Sequence, residues 1–215
     1  MISDNLKKIK QLLPAHVQLV VVSKYRSIEE LMQVYDQGHR DFAENRVQEL
    51  LSKYERMPKD IRWHMIGHLQ SNKVKQIAPF VHMIHSVDSI ELAIEINKQA
   101  HKIHRVIPVL LQVHIAKEDS KFGLNKDELT STYHEIKKFS NLEIAGLMGM
   151  ATFTDDKVQI GAEFALLKSL FDKIKNDTIV QNTAFQVLSM GMSSDFEIAV
   201  EQGSTLVRVG SKVFE

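Results

Sequence analysis

The chain has 215 residues, 44% of them hydrophobic, which is enough apolar material for a sizeable core. Its 27 Lys and Arg balance 27 Asp and Glu, so no basic field exists to attract nucleic acid or an anionic membrane, and small-molecule or protein partners are expected. The absence of cysteine excludes a disulfide framework, a thiolate metal site and a thiol nucleophile, and fits a cytoplasmic setting.

The first stretch, MISDNLKKIKQLLPAHVQ, has the amphipathic spacing of a charged helix over residues 3–13. No apolar run in the chain approaches the roughly 20 residues of a membrane span. Val17 to Ser23 then reads as a strand buried on both faces, with Lys24 and Tyr25 at its end. SIEELMQVYDQG follows with Ile28, Leu31, Met32 and Tyr35 at helical spacing. Further strand runs are Asp41 to Glu44, Trp63 to Gly67, Met83 to Val87, Val106 to Ile115 and Leu142 to Met150. GAEFALLKSLFDKI is a helix on Phe164, Leu167, Leu170, Phe171 and Ile174, and the last strands are Phe185 to Met190 and Thr205 to Val209. Every strand run except the last is followed by a helix pattern, leaving the N-terminal helix to close the ring. With no Pro/Gly-rich linker and no shift in composition, the pattern predicts an α/β fold, one (β/α)8 TIM barrel over residues 1–215. An open doubly wound sheet is the alternative, but the Gly-x-Gly-x-x-Gly turn that dinucleotide-binding sheets carry is missing.

Barrel chemistry gathers at the C-terminal ends of strands. Ser23, Lys24, Glu44, Asn45, His68, Ser86, His114, the Met148 to Met150 and Ser189 to Ser194 segments, and Arg208 to Ser211 stand there. Carboxylates are scarce in this set, which weighs against a glycosidase or an oxygen-ligated metal. Lys24 has two readings: a lysine desolvated in a pocket and activated for Schiff-base formation, or one that snorkels out to water. In LSMGMSSDFEIAVEQG, Gly191, Ser193, Ser194 and Asp195 turn a strand into a helix, and Gly210 and Ser211 do the same in RVGSKVF. They are ordinary turns or, as is common after strands 7 and 8 of such barrels, a phosphate site. Combined with a strand-end lysine, they point to a phosphorylated aldehyde cofactor. His64 and His68 in WHMIGH lack a third ligand of metal spacing, and His68 is expected to shape the pocket. Asn45 either meets a ring oxygen of the cofactor or caps the next helix. The GLMGM and SMGM runs are expected to pack inside the barrel, Lys73 and Lys75 to lie on a solvated helix face, and loop 116–125 is a candidate lid.

The blocks VVVSKY, FAENRVQE, WHMIGHLQSNKVK, SVDS, EDSKFGL, GLMGMA and SMGMSSDFEIAVEQGSTLVRVGSKVF run in order from about residue 17 to 214. Together they resemble the YggS/PROSC group of pyridoxal phosphate homeostasis proteins. The resemblance implies a barrel similar to the N-terminal domain of bacterial alanine racemase (fold type III), with pyridoxal 5′-phosphate held as an internal aldimine on Lys24. It implies a phosphate site at Ser193, Gly210 and Ser211. It also places an arginine beside the pyridine nitrogen, and Arg208 in LVRVG fits, the alternative being a surface arginine. A guanidinium keeps its proton, so it disfavours a pyridinium and leaves the ring a poorer electron sink.

Racemases of the related fold use a tyrosine from a second domain as the opposing acid/base. Here the sequence ends at Glu215, and Tyr35, Tyr54 and Tyr133 fall on predicted helices. The resemblance therefore implies a carrier and buffer of pyridoxal phosphate in vitamin B6 and amino/keto acid balance, not an efficient enzyme. Apo-enzymes that use the cofactor, or enzymes of B6 metabolism, are candidate partners, and a monomer is expected. The alternatives are a racemase or lyase of small amino acids with Lys24 as base, and a barrel for another phosphorylated metabolite that uses Lys24 only as a charge. Ala43, Arg46, Lys117 and Glu215 depart from the family pattern, and Ala43 and Arg46 flank Asn45.

Overall fold

β-branched runs with apolar residues on both faces can be buried only between an inner and an outer layer, and a closed parallel sheet provides both. The structure, a computed structural model, describes residues 1–118, 122–177 and 183–215. The strands are β1 (Gln18–Val22), β2 (Asp41–Glu44), β3 (Arg62–Met65), β4 (Met83–Val87), β5 (Ile107–Gln112), β6 (Leu142–Met148), β7 (Val187–Ser189) and β8 (Leu206–Val209). They pair in parallel and in chain order, and β8 closes on β1 in the register Gln18↔Leu206 to Val21↔Val209.

The surrounding helices are α1 (Ile2–Leu12), α2 (Ile28–Asp36), α3 (Val47–Arg56), α4 (Val74–Ile77), α5 (Ile90–Lys102), α6 (Leu129–Ile136), α7 (Lys157–Lys175), α8 (Phe196–Glu201) and α9 (Ser211–Phe214). The last of these corrects the sequence pattern, which left β8 without a helix; a single turn is too short to display a helical period. Asn5 of α1 donates to the Val213 carbonyl of α9 at 3.4 Å, so both helices cover the seam. Local signals set the helix starts: Ser27 Oγ accepts from Glu30 N at 3.2 Å while Glu30 Oε2 accepts from Ser27 N at 2.7 Å, a complete capping box for α2. Among the described residues, no helix is long and apolar enough to cross a membrane.

The pleat sorts the strand residues. Val21, Phe42, Trp63, Ile84, Val109, Leu147, Leu188 and Val207 belong to the large outer cluster beneath the helices. Alternate positions form two small inner clusters, Val20, Val22, Ala43 and Leu206 in one and Met83, Leu110, Ala145 and Met148 in the other. The remaining inward positions of β3, β4, β7 and β8 carry buried polar groups: His64, His85, Ser189 and Arg208.

Burial keeps three histidines from taking a proton. It pushes His39 and His82 down to about 4 and His85 well below the ordinary value. The unfolded chain therefore binds more protons than the folded one once the pH drops below about 6.5, the usual histidine value. Burial raises the Glu44 carboxyl and acts in the opposite sense, one group against three. Urea unfolding is expected to show a free energy that falls steadily from neutral pH to about 4; a flat profile across that window would show these rings to be solvated.

Candidate functional site

The C-terminal strand ends form one rim. Beyond Val22 the chain leaves β1 at Ser23 and turns sharply: Tyr25 takes φ +63°, in the left-handed region that side chains other than glycine seldom occupy. Arg26 N donates to Ser23 O at 3.1 Å across this turn. Lys24 consequently stands on the rim and is exposed, its Nζ 6.0 Å from the centre of the Tyr25 ring. The loss of solvation expected for a pocket lysine is thus not met, because the turn carries Lys24 beyond the last packed layer.

Directly beneath it lies an ion pair that the sequence pattern did not reveal. Ser23 Oγ donates to Glu44 Oε1 at 2.6 Å, and Lys53 Nζ of α3 donates to the Ser23 carbonyl at 2.6 Å and to Glu44 Oε1 at 2.5 Å. Glu44 is fully buried and Lys53 nearly so. Burial raises the Glu44 carboxyl, opposed by the bonds from Lys53 and Ser23. The pair faces outward, between β2 and α3, and pins the residue that precedes Lys24.

The phosphate-type turns come together on the opposite side of the seam. Ser193 Oγ accepts from Gly210 N at 3.1 Å, tying the turn after β7 to the turn after β8. Asp195 Oδ1 accepts from Met192 N at 2.6 Å and sets the first of these turns. A Cβ on Gly210 would lie 3.0 Å from the Val22 carbonyl, so the second turn presses against the end of β1, two residues from Lys24. Ser211 is exposed at the start of α9. Arg208 is not a surface residue: it is buried, donating from Nη1 to Ser189 Oγ at 2.5 Å and from Nη2 to Gly149 O at 3.1 Å. Burial lowers it to about 10, which still leaves it protonated at neutral pH.

Among the described residues, three buried side-chain oxygens have no hydrogen-bond partner, Glu44 Oε2, Asn45 Oδ1 and Ser86 Oγ, at or just beyond the ends of β2 and β4. Asn45 does not cap α3, whose N-cap is Arg46 without a side-chain bond. Gly67 lets the β3 turn approach, since a Cβ there would fall 2.2 Å from the Asn45 carbonyl. Buried acceptors and hydroxyls with unused capacity are what a polar ligand satisfies, so the residues present fit a phosphorylated pyridine cofactor. No contact joins Asn45 or Lys24 to Arg208; they bound the same rim from different strands.

His68 is exposed, its Nδ1 3.1 Å from Asp88 Oδ2 and its ring stacked on Phe122 at 4.2 Å, so it edges the rim and does not line its buried part. The candidate lid is tied at both flanks: Lys117 N donates to Thr152 Oγ1 at 3.0 Å, and Gln112 Nε2 donates to the Phe122 carbonyl at 2.8 Å. Its centre, residues 119–121, lies outside the described residues.

Fold and rim together define a barrel of the racemase N-terminal type, and the family described as alanine racemase, N-terminal domain, matches residues 1–214. The pyridoxal phosphate homeostasis protein of Helicobacter pylori J99 is 40% identical over 204 residues, spanning 93% of this chain and 87% of that protein. That of Aquifex aeolicus is 37% identical over 198 residues, spanning 92% and 86%. The chain belongs to the pyridoxal phosphate homeostasis family. PipY of Synechococcus elongatus superposes at a TM-score of 0.95 without pyridoxal phosphate and 0.92 with it bound, at 32% identity over 100% of both chains. Alanine racemase of Clostridium difficile, 16% identical, shares the fold at a TM-score of 0.80 over 55% of its length.

Exchanging Lys53 for Met leaves the Glu44 carboxylate buried without its cation, which is expected to cost about 3 kcal/mol of unfolding free energy. Urea unfolding of Lys53→Met and of Lys53→Met/Glu44→Gln tests this. The double variant should recover part of the loss, and a loss under about 1 kcal/mol in the single variant would show the pair to be effectively solvated.

Proposed function

We propose that this chain binds pyridoxal 5′-phosphate covalently through Lys24, carries and buffers it, and so takes part in vitamin B6 and amino/keto acid homeostasis without efficient turnover. The observation that carries the reading is the convergence at one rim. A strand-end lysine, two Gly/Ser turns joined through Ser193 and Gly210, and a buried arginine stand beside buried oxygens that lack partners. The family membership and the pyridoxal phosphate bound in PipY support the same ligand.

When bound, the cofactor supplies an aldehyde that a primary amine captures reversibly. The protein's part is to hold it and to hold back its reactivity. Lys24 Nζ provides the amine, and its exposure on the rim leaves it open to exchange with other amines. Ser193, Gly210 and Ser211 would receive the phosphate, and Asn45 would offer its amide to a ring substituent. Arg208 would face the pyridine nitrogen as a donor that is already protonated, which would disfavour a pyridinium and leave the ring a weaker electron sink.

Two-sided proton transfer needs an acid/base opposite the lysine. Tyr35, Tyr54 and Tyr133 sit on α2, α3 and α6, and Tyr25 is the immediate neighbour of Lys24. This distribution favours a carrier over a racemase or lyase. A carrier of this kind would hand its cofactor to enzymes that lack it.

Purified protein given pyridoxal phosphate is expected to develop a visible absorption band that borohydride abolishes, with a pyridoxyl adduct on the peptide containing Lys24. Lys24→Ala should lack both. No band, or an adduct on another lysine, overturns the reading, and alanine racemisation at rates typical of dedicated enzymes overturns the carrier role.

A further inference from the structure

Inside the barrel, side chains from five strands form one hydrogen-bonded series. Arg208 Nη1 on β8 donates to Ser189 Oγ on β7 at 2.5 Å, and Ser189 Oγ lies 3.1 Å from His85 Nδ1 on β4. His85 Nε2 is 2.9 Å from His64 Nδ1 on β3, and His64 Nε2 is 3.3 Å from Asp41 Oδ1 on β2. Every member is buried. Asp41 and Arg62 open their strands, so the series runs from the rim to the opposite end of the barrel, where Arg62 donates to Asp41 from Nε at 2.7 Å and from Nη2 at 2.5 Å.

The two ends fix the direction of every bond once His64 carries a single ring hydrogen. A guanidinium only donates, so Ser189 must accept from it; a carboxylate only accepts, so His64 must carry hydrogen on Nε2. A neutral His64 then accepts at Nδ1, which requires hydrogen on His85 Nε2 and makes His85 Nδ1 the acceptor for the Ser189 hydroxyl. All hydrogens point one way, from Arg208 toward Asp41. Burial, first of all, holds His85 neutral. Against the burial that would raise it, bonds from His64 and Arg62 keep the Asp41 carboxyl ionised, below the usual carboxylate range.

We infer that Asp41, acting through His64, His85 and Ser189, is a positioning residue for Arg208. The series fixes which donors of the guanidinium are spent inside the barrel and which face the rim, and so sets how tightly a pyridine-type ligand is held. A chain of bonds polarised in one direction strengthens each of its members, so the effect of Asp41 reaches the rim without contact. The inference rests on the assignment of Arg208 to the ring nitrogen.

The first test needs no ligand. Nitrogen NMR of ring-labelled histidine in the cofactor-free protein at neutral pH is expected to show both His64 and His85 with hydrogen on Nε2 and an accepting Nδ1. Hydrogen on Nδ1 of either ring overturns the inference. The second test titrates pyridoxal phosphate into the wild type, His85→Leu and His85→Gln. Leu interrupts the series, whereas Gln can accept through its carbonyl and donate through its amide in the same direction. Binding about tenfold weaker in His85→Leu, and within about twofold of wild type in His85→Gln, is expected. An equal loss in both, or none in His85→Leu, shows that position 85 serves packing alone. If His85→Leu does not fold, the tautomers and His85→Gln decide. If the wild type binds no pyridoxal phosphate, the proposed function falls, and the tautomers alone settle the series.

Discussion

A guanidinium enclosed in a barrel cannot shed its charge, so it must be surrounded by acceptors, and much of this interior follows from that requirement. Arg208 takes one from a side chain, Ser189, and one from the backbone, Gly149. Ser189 in turn needs an acceptor for its own hydrogen, and each further group passes the requirement on until a carboxylate absorbs it at Asp41. The series begins with a cation held by neutral acceptors and ends with an anion that Arg62 pairs from the far side. The price is paid in packing, because the inner apolar residues are split into two small clusters instead of one.

The outer layer solves a similar problem in another way. Glu44 and Lys53 lie within bonding distance of each other and of Ser23, so their charges cancel locally. That arrangement clamps the end of β1 against β2 and α3. Beyond the clamp the chain is released into the left-handed turn at Tyr25, and Lys24 is left in water on a firm base. A solvated amine above a rigid strand end fits the proposed uptake and release of an aldehyde, whereas a buried amine would trap it.

The strands were legible because runs such as LVVV and IPVLLQ have no other way to be buried, and their order in the chain is their order in the ring. Ends were less so. The run expected to reach Ile115 stops pairing at Gln112, where Leu124 N donates to the Gln112 carbonyl at 2.7 Å and His114 N to the Leu124 carbonyl at 3.1 Å. Lys24 was visible as a strand-end residue, but its exposure depends on one unusual backbone angle that no local pattern announces. Ser193 and Gly210 were each visible as turn residues, and their bond to one another depends on two strands meeting. The histidine series was hidden for the same reason: alternation shows that His64 and His85 point inward, but their partners come from strands up to 104 residues away.

The seam between β1 and β8 has a further consequence. Lys24 belongs to one of these strands, while Arg208, Gly210 and Ser211 belong to the other, and only the ring closure from Gln18↔Leu206 to Val21↔Val209 brings the two groups together. Any excursion that detaches β8 would disperse this proposed site in one event, so occupancy and closure would stabilise each other. A ligand bound across that seam would act as a latch on the barrel, in addition to the ladder and the helices that cover the joint.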